Sequence, residues 1–154
     1  MTTSADAKGT AGGADALEAP LFSKPKQEGK IMEIERFFDA VVRQDAETMA
    51  DYFCRDAIVR WHCTNERFTA EEYIRANCQY PGNWCGELER VIKKGDCIVT
   101  AARVYAADGA PSFHVASFYR LREGRIAELD EYWADDGPAP AWRRSLGLGV
   151  PIPE

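Results

Sequence analysis

The spacing of apolar residues predicts helices in the first half of the chain. From Ile31 onward, apolar side chains recur on one stripe with a period of 3.6 residues, which indicates an amphipathic helix. That stripe consists of Ile31, Ile34, Phe37, Phe38, Val41 and Val42. Asp45 suits the N-cap of a second, short helix, and Thr69 with Glu72 three residues later forms a capping box for a third. We expect that third helix to end near Cys78.

The apolar pattern then changes to the alternation that is typical of strands. Residues 57–63 form the first predicted strand, with Val59, Trp61 and Cys63 on one face. Four further strands are predicted at residues 85–93, 97–106, 112–122 and 125–134. Each connection between these four has a glycine beside an acidic residue, which is hairpin chemistry. The order indicates an α+β fold, with three N-terminal helices packed on a strongly curved antiparallel sheet that forms a cone with a central pocket.

Composition divides the chain into three parts. Residues 1–29 are rich in small and polar residues without an apolar period, which predicts a disordered or linker-like tail. Residues 30–136 carry the α+β domain. Residues 137–154 contain four of the eight prolines and predict an irregular tail, which we expect Trp142 to anchor.

Charge and cysteine content limit the classes of partner. With 25 acidic and 19 basic residues the net charge is -6, which argues against nucleic acid and against an anionic membrane surface. No apolar run approaches the ~20 residues of a membrane-spanning helix, and no secretory signal is predicted at the N-terminus. The five cysteines have no CxxC spacing and are odd in number, so we expect reduced thiols and a cytoplasmic protein.

Several local strings, in the order of the predicted elements, resemble the SnoaL-like branch of the nuclear transport factor 2 superfamily. They are Phe37-Phe38, Asp45, Tyr52-Phe53, Asp56-Ala57-Ile58-Val59, Glu123-Gly124-Arg125-Ile126 and Glu131-Tyr132-Trp133. The resemblance implies the cone-shaped, ketosteroid isomerase-like fold. That superfamily includes isomerases, polyketide cyclases, limonene epoxide hydrolases, dehydratases and binding or scaffolding members. Residues in the pocket must therefore decide the function.

The resemblance does not extend to the isomerase chemistry itself. It implies a phenol on the first helix, a carboxylate base on the first strand and an acid on a later strand. Those positions fall on Phe37, Trp61 and Ser117. Phe37 has no hydroxyl and Trp61 cannot take a proton, so steroid-type isomerisation is not expected.

An acid on the last predicted strand is the first candidate for catalysis. The epoxide hydrolase and cyclase branches have an acid there, and here the resemblance gives Glu131 that position. Trp133 has the same parity, so both side chains should face the cone. A carboxylate facing an apolar cone should have a raised pKa and could act as a base. The alternative is a surface salt bridge from Glu131 to Arg103 or Arg125.

Two further residues are candidates for assisting Glu131. Arg103 on the strand 97–106 is the predicted partner of the carboxylate. His114 is the residue type most often used as a general base near neutral pH. By simple alternation His114 points away from the cone, and a bulge would reverse that. No metal site is expected, because the adjacent His62 and Cys63 would point to opposite sides of a strand.

The predicted function is the binding of a small apolar or aromatic molecule, with possible cofactor-free acid–base chemistry of the isomerase, cyclase, dehydratase or hydrolase type. The candidate ligand-binding residues are Phe37, Trp61, Tyr80, Trp84, Tyr105, Ser117 and Trp133. We expect a homodimer formed through the outer sheet face. The alternative is a non-catalytic binding or dimerisation module whose cone is filled by its own aromatic side chains, and the volume of the cavity discriminates between the two.

Overall fold

The computed structural model describes residues 31–153, and the tail predicted for residues 1–29 lies outside them. Three helices and two strands come first, and four long strands follow. The elements are α1 (Ile34–Val42), α2 (Ala46–Ala50), β1 (Phe53–Trp61), β2 (Glu66–Thr69), α3 (Ala70–Cys78), β3 (Trp84–Lys94), β4 (Cys97–Ala106), β5 (Ser112–Arg122), β6 (Arg125–Asp135) and α4 (Ala141–Ser145). The α+β class is confirmed.

The strands form one sheet in the order β2-β1-β6-β5-β4-β3. β3 to β6 form the predicted antiparallel meander, because each connection is a short reversal between sequential strands. β1, however, runs parallel to β6. The sheet is therefore mixed, whereas the sequence predicted a wholly antiparallel one.

The first strand differs from the prediction at both ends. It begins at Phe53 rather than residue 57, and it stops at Trp61 because His62–Thr64 form a short 3-10 turn. Asn65 follows with a φ of 57°, a left-handed conformation that asparagine tolerates better than most residues. The reversal sends β2 back along β1, and the sequence did not reveal β2 because only one of its four residues is a large apolar one.

The helix boundaries agree with the capping signals. Thr69 accepts a hydrogen bond from the backbone N–H of Glu72 at 3.2 Å, and the Glu72 carboxylate accepts one from the backbone N–H of Thr69 at 2.8 Å. α3 ends at Cys78, as predicted. Asp45 caps α2 by accepting from the backbone N–H of Thr48 at 3.1 Å. These local bonds satisfy N–H groups that a helix start leaves unpaired.

Among residues 31–153, helices α1 and α3 pack on one side of the sheet, which we call the inner face, whereas large side chains on the other side, the outer face, are exposed. Phe37 lies at the centre of the core and is 1% exposed. Its ring meets Tyr52, Phe53 and Tyr119 edge to face, with centroids 5.7, 5.6 and 6.0 Å away. Such a cluster of buried aromatic rings contributes more than its area alone. It fixes α1 over the sheet and so positions one wall of the site.

The segment after β6 lies on the surface. It contains α4, and Trp142 is 61% exposed. The prediction that Trp142 anchors this segment is therefore wrong, because most of its indole stays on the surface instead of packing into the core. Within residues 31–153, no helix has the length and apolar content to cross a membrane.

Candidate functional site

A cavity of about 540 Å³ lies between the inner face of the sheet and helices α1 and α3. Its aromatic lining residues are Trp61, Tyr80, Trp84, Phe113 and Trp133. Two carboxylates, those of Glu131 and Asp135, also line it. Among the lining residues of the described chain there is no lysine, arginine or histidine. The wall formed by the described residues is therefore aromatic, and its ionisable acids are carboxyl groups without a cationic side chain beside them in the lining.

The Glu131 carboxylate is buried in the wall of this cavity and is held by three neutral donors. The residue is 3% exposed. The indole N–H groups of Trp61 and Trp133 both donate to Oε2, at 2.8 and 3.0 Å. The Ser117 hydroxyl donates to Oε1 at 3.1 Å. Hydrogen bonds to an ionised group are strong, so this set orients the carboxylate and favours its charged form.

The register of the sheet explains why these donors converge. Trp61 lies beside Glu131 in the parallel pair of β1 and β6. Ser117 lies opposite Glu131 in the antiparallel pair of β5 and β6. Trp133 is two residues further along β6, and side chains two apart share a face. Side chains from the three adjacent strands β1, β6 and β5 therefore meet at the Glu131 carboxylate.

Two opposing effects act on the pKa of this acid. Burial raises the pKa of Glu131 above its usual range, while the three hydrogen bonds donated to the carboxylate oppose that rise. The pKa values of Tyr73 and Tyr119 are also raised, mainly because both phenols are buried and secondly because the negative charge of Glu131 disfavours their ionisation. These phenols stay protonated near neutral pH, so among these three buried groups Glu131 is the one with a basic form within reach.

His114 and Arg103 lie on the other side of the sheet. Arg103 on β4 pairs with His114 on β5, and the next pair along these strands, Val104 with Phe113, lines the cavity. Because successive side chains alternate between the faces and no bulge interrupts this pairing, Arg103 and His114 lie on the outer face. His114 contacts Asp136 and, at 3.2 Å, Glu89. The prediction that these two residues assist Glu131 is therefore wrong, because the alternation of β5 holds and no bulge turns His114 inward.

The environment of Arg103 also differs from the predicted one. Its Nε donates to the Ser112 hydroxyl at 3.1 Å, and its guanidinium lies 4.7 Å from the centroid of the Tyr105 ring. The alternative salt bridge between Arg103 and Glu131 does not form. Tyr105 shares the outer face with Arg103, so it does not line the cavity either.

The remaining predicted ligand-binding residues divide into two groups. Those that line the cavity are Trp61, Tyr80, Trp84 and Trp133. Phe37 belongs to the core and not to the cavity wall, because α1 turns it onto the buried aromatic cluster. Ser117 is buried and acts through its bond to Glu131. The functional roles of these residues stay predictions.

Sequence reasoning missed several residues of the wall. Phe113 has the parity of Ser117, and Asp135 has that of Glu131, so alternation alone could have found both. Gln44 had no such signal. Its amide donates to the backbone carbonyls of Asn77 at 2.6 Å and Tyr80 at 2.7 Å, which ties the end of α1 to the loop after α3. Contacts of this kind depend on tertiary packing.

Known proteins share both the sequence pattern and the fold of this chain. The family model of the SnoaL-like domain matches residues 34–129. Comparison with curated proteins gives no match. A candidate ketosteroid isomerase from Kribbella flavida is 23% identical over 77% of this chain and 87% of its own, with a TM-score of 0.64. A nuclear transport factor 2-like protein of unknown function from Burkholderia xenovorans is 20% identical over 78% of this chain and 92% of its own, with a TM-score of 0.63.

An LEH-like epoxide hydrolase from M. tuberculosis has a similar structure as well. It is 16% identical over 66% of this chain and 79% of its own, with a TM-score of 0.55. Similarity at this level of identity shows a shared fold, and one fold hosts many chemistries. The family match confirms the SnoaL-like resemblance predicted from the sequence, and the solved structures share the fold; the chain belongs to the family of SnoaL-like domains.

Proposed function

We propose that the protein binds a small, largely apolar or aromatic molecule in its inner cavity and transforms it by cofactor-free acid–base chemistry, with Glu131 as the proton acceptor. One observation carries the proposal: a buried carboxylate that lines an aromatic cavity and has three neutral donors. Isomerases, cyclases, dehydratases and hydrolases can all use such a base.

The environment of Glu131 supports its role as a base. Burial makes the carboxylate a stronger base than it would be in water, because the charged form loses solvation. The hydrogen bonds from Trp61, Trp133 and Ser117 hold the carboxylate in one orientation, so little reorganisation is needed when a proton arrives. A positioned general base of this kind contributes about 10²–10⁴-fold to a rate.

Epoxide hydrolysis is the least supported of the chemistries that the resemblance implied. For that reaction the resemblance implies an arginine that bridges two carboxylates, and Arg103 is the predicted candidate for this role. Arg103 lies on the outer face and bonds to Ser112. The geometry therefore favours proton transfer by a single carboxylate, as in isomerase- or cyclase-type reactions.

The volume of the cavity supports ligand binding over the alternative of a plugged module. A cone filled by its own aromatic side chains would leave no space beside Glu131. The observed volume of about 540 Å³ falls within the range of roughly 300–1,000 Å³ that small-molecule sites occupy. The aromatic residues line the space and do not fill it.

Isotope exchange tests the proposal without a known substrate. We expect the protein, incubated in D₂O with a library of small aromatic carbonyl compounds, to speed deuterium incorporation at an acidic C–H bond of at least one compound, as measured by mass spectrometry. Glu131→Gln should keep the fold by circular dichroism and lower that exchange rate by about 10²-fold or more. Glu128→Gln makes the same change on the outer face of β6, where the carboxylate bonds to Arg60, and this matched control should exchange normally. Equal exchange by wild type and Glu131→Gln would remove Glu131 from the chemistry.

We also propose that two copies associate through the outer face. Large apolar side chains are exposed there: Ile92 at 63%, Phe118 at 47% and Tyr132 at 45%. The Phe118 and Tyr132 rings touch, with centroids 5.9 Å apart, so they form a continuous patch. Contiguous exposed apolar surface of this kind favours a protein partner.

The five free cysteines support a reducing compartment, for which we propose the cytoplasm.

A further inference from the structure

The charges around the cavity are unbalanced. Its formally charged lining residues are Glu131 and Asp135, and no cationic side chain of the described chain lines it. The nearby arginines are used elsewhere. Arg60 bonds to Glu128 at 3.1 Å and Asp130 at 3.3 Å on the outer face, and Arg103 points to the same side. The inner carboxylate therefore lacks a counter-ion from these residues.

The hydrogen bonds of Glu131 leave room for one more donor. Each oxygen of an ionised carboxylate has two lone pairs that can accept hydrogen bonds. The two indole N–H groups occupy both acceptor positions of Oε2, whereas Oε1 accepts only the Ser117 hydroxyl among its described partners. One acceptor position on Oε1 thus remains for a ligand N–H.

The aromatic side chains of the cavity wall also favour a positively charged ligand. Aromatic faces attract organic cations, and the attraction is strongest where the contact is desolvated. Five aromatic residues line this cavity, three of them tryptophans, which bind cations best. An anion would meet two carboxylates and the negative faces of the rings, so it is disfavoured twice.

We propose that the ligand of this cavity is an organic amine in its protonated form, with an ammonium N–H bonded to Oε1 of Glu131 and an apolar or aromatic body against the rings. This inference rests on the proposed function, because it concerns the same cavity, and it adds the charge class of the ligand. It assigns recognition of the positive charge to Glu131, deep in the wall, rather than to Asp135, which is exposed at the end of β6.

Three probes of nearly equal size test the charge preference: 2-phenylethylamine, 2-phenylethanol and phenylacetate, which are cationic, neutral and anionic at pH 7. We expect calorimetry or ligand-observed NMR at low salt to show the amine binding the wild-type protein about tenfold tighter than the alcohol, and phenylacetate weakest. This comparison needs no variant. Equal binding of amine and alcohol overturns the inference and leaves the proposed function standing.

Two variants assign the preference to a residue. In Glu131→Gln the amide oxygen can still accept from both indoles and the amide N–H can donate to Ser117, so the fold should survive. We expect this change to abolish the preference for the amine over the alcohol, whereas Asp135→Asn, at the exposed end of β6, should keep a preference within about threefold of the wild-type one. A preference lost in Asp135→Asn and kept in Glu131→Gln overturns the assignment.

Failure of all three probes to bind overturns this inference as well. The proposed function would then be judged by the isotope-exchange experiment, which uses carbonyl compounds and does not depend on these probes. The two ideas can therefore fail separately.

Discussion

At the scale of single residues, the protonation of Glu131 links the cavity to stability. The folded state holds the proton of this acid more tightly than the unfolded state, because burial raises its pKa from an ordinary value of 4.5. The folded state therefore binds more protons in the window between that value and the raised pKa. Stability contributed by this group must fall as the pH rises through the window.

The change Glu131→Gln removes this dependence. We expect wild type to lose stability relative to Glu131→Gln as the pH rises above 4.5, because the buried carboxyl must ionise and the amide cannot. Urea unfolding of both proteins across that range measures the difference. Tyr73 and Tyr119 do not contribute, since their raised pKa values keep both phenols protonated. Two parallel stability curves would contradict the prediction.

At the scale of elements, the contact between α1 and β3 sets one wall of the cavity. Gly86 lies on β3 directly under the end of the helix. A Cβ at that position would come within 2.6 Å of Val42 Cγ2 and 2.9 Å of Phe38 Cζ. Only a residue without a side chain lets the helix approach so closely, and Val42 also lines the cavity.

Substitution of this glycine should displace the helix. We expect Gly86→Ala to destabilise the protein by about 1–3 kcal/mol, because the added methyl overpacks a well-filled contact between helix and strand. The matched control is Gly137→Ala, where a Cβ would meet nothing within 4 Å. Denaturant unfolding of the two variants gives the comparison. Equal stability of both would show that α1 adjusts without cost.

At the scale of the whole molecule, the two faces of the sheet differ in the surfaces that they present. The inner face carries the cavity, while the outer face carries the exposed patch that includes Phe118 and Tyr132. A charge placed at the centre of that patch should prevent association of two copies, because it would be buried without a partner. It should not affect the cavity, which lies on the opposite face.

Analytical ultracentrifugation tests whether two copies associate through the outer face. We expect wild type to sediment at about twice the mass of the chain and Phe118→Asp to sediment as a monomer. Ile152→Asp is the control, since it adds the same charge at a side chain that is 93% exposed and outside the sheet. A monomeric wild type, or a dimer that survives Phe118→Asp, would contradict the proposed interface.

The α+β class, the four strands of the meander and the ends of α3 could be predicted from the sequence. The meander strands were predicted to within one residue of their observed ends, because alternation and hairpin residues act over a few neighbours. The capping box of α3 is equally local. Glu131 and Trp133 were assigned to one face by their parity alone, and both line the cavity. These features depend only on what lies nearby in the chain.

The tertiary structure decided the rest. β1 pairs with β6 across about seventy residues of chain, and only that parallel pairing brings the indole of Trp61 to the carboxylate of Glu131. Alternation alone pointed His114 outward, but only the structure shows that the pairing of β4 and β5 has no bulge and so holds both His114 and Arg103 on the outer face. Long-range pairing is chosen by the packing of whole elements, because the free energy of burying a face outweighs the preferences of any short segment.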